Sequence, residues 1–160
     1  MTDDAYLEGI QELYDGEVRG ERLLLALQAV AKTPREAWHF ANVLQLETET
    51  KARLRPLLLR RGLDIAETAD LSSLPGRVAG YVEQSWRDYA AATAARLEPI
   101  VKRYEAIAAL GPAEDQDILQ ATVAHEAALV EWARIEAGGP TDRSLDWVVS
   151  LLKFPIDRPA

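Results

Sequence analysis

Apolar positions along the chain recur every three or four residues, and no stretch alternates strictly at every second one. That period predicts helices and no strands. Ile10, Leu13, Tyr14, Val18, Leu24 and Leu25 share one face of a first segment. Phe40, Val43, Leu44, Leu54 and Leu58 share a face of a second, and Ile118, Ala121, Leu129 and Trp132 a face of the last. The first segment runs from about Asp4 to Ala31, opened by the acids Asp3 and Asp4. Lys32-Thr33-Pro34 reads as a stop, an N-cap and a first-turn proline. The second segment therefore runs from Pro34 to about Arg61, with Gly62 as C-cap. Residues 63–74 read as a loop, closed by Ser72 and Ser73.

The third segment spans Pro75 to about Leu110. After the break at Gly111-Pro112, the fourth reaches Ala137, where Gly138-Gly139-Pro140 stops it. Pro56 and Pro99 fall inside predicted helices and are expected to kink or end them, Pro99 being the place where the third segment would split. Asp142 to Lys153 fits a short docked helix, and Phe154 to Ala160 an extended end. The four long segments hold roughly 27 to 35 residues each, about 40–50 Å of helix. Short, long and short connections pair them into two helical hairpins. The expectation is an all-α four-helix bundle over about residues 4–138, with a C-terminal helix and tail over 141–160, all one domain.

Composition agrees with helix: 26 Ala and 22 Leu stand against 25 Val, Ile and Thr together. At 160 residues the chain suits one domain with a real core. The absence of cysteine excludes disulfides, Cys-ligated zinc, iron–sulfur clusters and thiol catalysis. A net charge of −8 and a pI near 4.8 argue against nucleic acid or an anionic membrane as partner. Met1 to Asp4 is polar and acidic, and apolar runs such as Leu23 to Leu27 are far too short for a bilayer, so a cytoplasmic protein is expected. Glycine-rich phosphate loops and a Gly-x-Ser-x-Gly elbow are absent.

The informative residues are polar ones on apolar faces. Glu17 lies three residues after Tyr14 and seven before Leu24, and Glu21 follows one turn later. Glu47 falls within the second stripe, while Glu49 leans toward a poorer one. His125 sits among Ile118, Ala121, Leu129 and Trp132, with Glu126 beside it. Glu17, Glu47 and His125 lie near the midpoints of their segments, so they would meet at one level of the bundle. Carboxylates and an imidazole on facing helices are the donor set for iron or manganese. The other histidine, His39, lies near a helix start and reads as a surface or helix-terminal residue. Most aromatics read as packing, and the run Ala90 to Ala95 as a close helix approach or a space for a small substrate.

Leu13-Tyr14-Asp15-Gly16-Glu17-Val18-Arg19-Gly20-Glu21 resembles the first helix of rubrerythrin-like members of the ferritin-like superfamily. Leu46-Glu47-Thr48-Glu49-Thr50-Lys51 is similar to their second helix, and Ala124-His125-Glu126-Ala127-Ala128-Leu129 to their fourth. The resemblance implies a ferritin-like four-helix bundle with a metal site of Glu17, Glu47 and His125, and with Glu21 and Glu126 as further candidate ligands. It also implies iron or manganese and oxidoreductase-type chemistry on a small-molecule substrate. The family's Glu-x-x-His motifs are each half kept: Thr50 follows Glu47, and Thr122 precedes His125, where the partner residue would stand. The third segment reads Ala90 to Ala95 where a Glu is expected, with Glu98 the nearest carboxylate. A one-metal site, an altered site and no metal all stay open. The alternative is a non-enzymatic scaffold that lost its site and acts through homodimerisation or partner binding.

Overall fold

The computed structural model describes residues 2–159; Met1 and Ala160, the ends of the polar N-terminal stretch and of the extended tail, lie outside them. The described residues form helices and no strand: α1 (Thr2–Ala29), α2 (Pro34–Arg60), α3 (Leu74–Glu83), α4 (Trp86–Leu110), α5 (Gln116–Gly138) and the single turn α6 (Asp146–Val149). None is long and apolar enough to cross a membrane.

The boundaries follow local chemistry. Thr33 caps α2 by accepting the Glu36 N–H at 3.1 Å, and Pro34 occupies the first turn, where no donor is needed. Gly62 ends α2 with φ at +75°, a left-handed position suited to glycine, and the Leu63 N–H returns to the Leu58 carbonyl at 2.9 Å. The third segment does split, but at Gln84-Ser85 rather than Pro99. Ser85 is extended and accepts the Asp88 N–H at 3.1 Å, so its cap starts a new helix. Pro56 and Pro99 both lie inside helices that continue through them. Each proline withdraws a donor from the carbonyl four residues earlier, on Ala52 or Ala95. Both alanines are exposed, so water can serve that carbonyl.

Contacts at the helix ends give their directions. Tyr6 at the start of α1, Arg60 and Arg61 at the end of α2, and Asp115 just before α5 meet at one end. At the other end Arg35 opens α2 and Trp86 opens α4, and both bond Glu136 near the end of α5. Helices α1 and α5 therefore run one way, and α2 and α4 the other. Residues 61–73 and α3 carry the chain back along the bundle. Ion pairs from Lys51, Arg22 and Arg55 to Glu67 pin that link.

The C-terminal part is less helical than its apolar pattern suggested, since only Asp146–Val149 forms α6. The tail is held instead by polar side chains of α2. Glu49 accepts the Lys153 and Phe154 N–H groups at 2.8 and 2.9 Å, and Asn42 bonds both backbone groups of Ile156. His39 is buried, contrary to its expected surface position: it is 1% exposed and accepts the Trp132 indole N–H at 2.9 Å.

The apolar core is divided in two. One cluster gathers Ile10, Leu13, Tyr14, Leu54, Ile107 and Leu119; the other gathers Leu24, Phe40, Val43, Leu129, Trp132 and Ala133. Along α1, α2 and α5 the change from one cluster to the other falls around Glu17, Glu47 and His125.

Candidate metal centre

A buried polar layer fills the space between the two apolar clusters. Glu17 is fully buried, His125 is 1% exposed, and Glu47 and Glu126 are each 6% exposed. His125 stands between two acids: its Nδ1 lies 3.3 Å from Glu17 Oε2, and its Nε2 lies 3.7 Å from Glu47 Oε1. Glu17, His125 and Glu126 each offer one ligand atom within 4.8 Å of the others.

Two glycines of α1 let neighbours approach this layer. A Cβ at Gly20 would lie 2.3–2.6 Å from all three carboxylate atoms of Glu47. A Cβ at Gly16 would lie 2.0 Å from the Tyr104 hydroxyl, so that tyrosine reaches the layer from α4 only because position 16 has no side chain. Glu21 does not join the others. It accepts from Thr48 at 2.8 Å and pairs with Lys51, which also holds Glu67 at 2.6 Å. Its oxygens are satisfied by a network that ties α1, α2 and the link together. Glu98 on α4 is exposed and pairs with Arg134 at 2.9 Å.

The layer is under-satisfied. Both oxygens of Glu17, both nitrogens of His125 and Oε2 of Glu126 are buried without a hydrogen-bond partner among the described residues. Such atoms are normally paired, because leaving one dry costs about 1–3 kcal/mol, and more for a charged group. The electrostatics agree. Burial, with the charges of Glu47 and Glu126, pushes the Glu17 carboxyl well above the usual carboxylate range. Burial also pushes Glu126 up to about 7, the His125 charge opposing it. For His125 burial disfavours the imidazolium, but the charges of Glu47 and Glu126 outweigh it and its pKa is raised. The Tyr104 phenol is raised by burial and then by the same acids, so it stays protonated at neutral pH.

A cavity of about 280 Å³ opens beside the layer, lined by Glu47, Glu126 and Tyr104 together with Arg77 of α3 and Arg96 of α4. Sequence reasoning missed these two arginines and left Tyr104 as packing. The signal for Tyr104 lay in Gly16, a small residue facing it. Arg77 had no signal, because its placement depends on the break at Ser85.

The donor set suits a metal: carboxylate oxygens and imidazole nitrogens serve iron and manganese, and the apolar clusters on either side leave the cavity as the approach to the layer. Comparison with known protein families, with curated proteins and with solved structures gives no match to the chain.

Proposed function

We propose that this chain is a ferritin-like metal-binding protein, in which Glu17, Glu47, His125 and Glu126 hold iron or manganese for oxidoreductase-type chemistry. One observation carries the reading: five buried polar atoms of Glu17, His125 and Glu126 have no hydrogen-bond partner among the described residues, and they share one layer. A metal ion would take one ligand atom from each of Glu17, His125 and Glu126, leave the other His125 ring nitrogen to a neighbouring carboxylate, and supply the cation that neighbouring buried carboxylates require. The order of the long helices, two one way and two the other with a long return link, supports the ferritin-like assignment.

Bound iron would supply redox chemistry toward dioxygen or peroxide, and manganese a comparable centre. The chain's own residues prepare that position. Burial favours the protonated forms of Glu17 and Glu126 without metal, so a bound cation would displace protons from them. Tyr104 presents a neutral hydroxyl at the cavity wall, and Gly16 and Gly20 keep the α1 backbone clear of Tyr104 and Glu47.

Calorimetric titration of chelator-treated protein with manganese, in two buffers of different ionisation enthalpy, tests the reading. Saturable binding with proton release is expected, lost in Glu17→Ala and His125→Ala. Absence of binding, or binding unchanged in both variants, contradicts it.

A second reading has its own support. Helix α4 brings Thr93 and Arg96 toward this level instead of a carboxylate. In a scaffold without metal, Glu47 and Glu17 would flank a charged His125 and fix the helix register. Exposed Trp147, Phe154 and Ile156 would then serve a homodimer or partner contact. Replacing Glu17 would in that case change stability alone.

A further inference from the structure

The cavity beside the polar layer has two arginines in its wall, Arg77 and Arg96, that form no ion pair among the described residues. Arg77 and Arg96 each bury an Nε with no hydrogen-bond partner among the described residues. Several other arginines are paired: Arg35 with Glu136, Arg61 with Asp115, Arg103 with Glu12 and Arg134 with Glu98, all within 3.0 Å. Arg77 and Arg96 instead line the same cavity, near enough for the charge of one to disfavour that of the other. Burial lowers the Arg77 guanidinium to about 10, and the charge of Arg96 adds to that. Arg96 is itself lowered by burial. Two like charges in a half-buried wall are unfavourable unless counter-charge is near; Glu47 and Glu126 in the same wall offset them at a distance, but neither arginine closes an ion pair among the described residues.

The walls narrow what that counter-ion is. The cavity is also lined by Leu97, Pro99, Ile100 and the Tyr104 ring, while Arg19 stands with Arg103 on the α1/α4 side. A smaller pocket of about 40 Å³ shares Arg77, Arg96 and Leu97 with it and continues to Leu24, Leu129 and Trp132. Guanidinium forks favour carboxylate and phosphate alike. The apolar walls favour an anion with an apolar body, and about 280 Å³ lies just below the usual small-ligand range of roughly 300–1,000 Å³.

We infer that this cavity binds a small organic carboxylate, its acid group between Arg77 and Arg96 and its apolar body along Leu97 and Ile100. Naming that acid as the substrate rests on the metal-site reading; its binding does not. Such an acid would lie beside Glu126 and Glu47, next to the proposed centre. A bound metal would neutralise those carboxylates and strengthen the site, so metal and acid would each favour the other's binding.

The test is thermal and calorimetric titration of chelator-treated full chain, at pH 7, with hexanoate, benzoate and inorganic phosphate as probes. Hexanoate or benzoate should bind saturably and raise the melting temperature, with phosphate clearly weaker. Arg77→Met and Arg96→Met should each weaken acid binding by about tenfold or more. Both variants should melt no lower than the parent, because each removes a repelling charge, whereas a purely structural arginine would lower it. The inference is overturned by no saturable binding of either acid at about 10 mM, by equal affinity in the parent and both Met variants, or by phosphate binding as tightly as the acids. Manganese retention in the same variants reports on the metal reading separately. Retained metal without acid binding overturns only the inference. Acid binding without metal supports the site while the metal reading falls, and with it the acid's role as substrate.

Discussion

Replacing Gly20 by Ala sets two effects of known sign against each other. In the middle of an exposed helix the change stabilises by about 0.8–1.0 kcal/mol, because alanine restricts the unfolded chain and favours helix. At Gly20 the new methyl would lie 2.3 Å from Glu47 Oε2, 2.4 Å from Cδ and 2.6 Å from Oε1. Carbon and oxygen need about 3.4 Å or more, so the Glu47 carboxylate must retreat by about 1 Å. A side-chain tip can make that move, and the protein still folds. The retreat takes Glu47 away from His125 Nε2, now 3.7 Å off, and cancels most of the helix gain. In a Glu47→Ala background nothing needs to move, and the full gain of about 1 kcal/mol should return. Urea melts of the four proteins in chelator measure the coupling, expected near 1 kcal/mol. Manganese affinity should fall by about 10-fold to 100-fold in Gly20→Ala alone. Equal stabilisation by Gly20→Ala in both backgrounds, with manganese affinity unchanged, would refute the placement of Glu47 against α1.

Two further outcomes follow from the buried charges. Glu126 is raised from 4.5 to about 7 on folding, so metal-free protein holds its stability contribution below about pH 4.5 and loses it as pH climbs to 7, by roughly 3 kcal/mol. His125, raised by Glu47 and Glu126 against the opposing effect of burial, acts in the same direction above its unfolded value of 6.5. Melts from pH 5 to 8 should show stability falling, a flatter profile in Glu126→Gln, and a reversed slope with manganese; a rising metal-free profile would count against the buried acid. At the far end of the bundle, Glu136 is 1% exposed and accepts two Arg35 bonds at 2.7 and 2.6 Å and the Trp86 indole at 2.5 Å. Glu136→Ala should cost about 3 kcal/mol in urea melts, because it strands a partly buried guanidinium and an indole N–H, and Glu136→Gln less. A loss under about 1 kcal/mol would show that the cluster contributes little.

The helices were legible because their signals are local: the apolar period, Thr33-Pro34, Gly62 and Gly138-Gly139. The common level of Glu17, Glu47 and His125 was legible as well, because helix rise turns distance along the axis into a count of residues. What was missed depends on contacts distant in sequence. Nothing near His39 indicates that Trp132, 93 residues on, donates to it. Glu21 and Glu17 sit one turn apart on similar faces, and only Lys51 and Thr48 across the helix pair separate their roles. The break falls at Ser85, whose side chain caps α4, and not at Pro99, and the placement of Arg77 depends on that break. Glu49 looked like a misplaced acid on a poor apolar face because its partners are tail amides more than a hundred residues away.

The central claim is that the polar layer is a metal site rather than a self-contained ion cluster. Elemental analysis tests it most directly, on protein purified without an affinity tag, loaded anaerobically with ferrous iron or manganese and desalted. The account predicts about one or two retained ions per chain, as a mid-bundle carboxylate site would hold, lost in Glu17→Ala and in His125→Ala while both variants remain folded. No retained metal in the parent, or equal retention in the variants, would contradict it and leave Glu17, His125 and Glu47 as a structural triad.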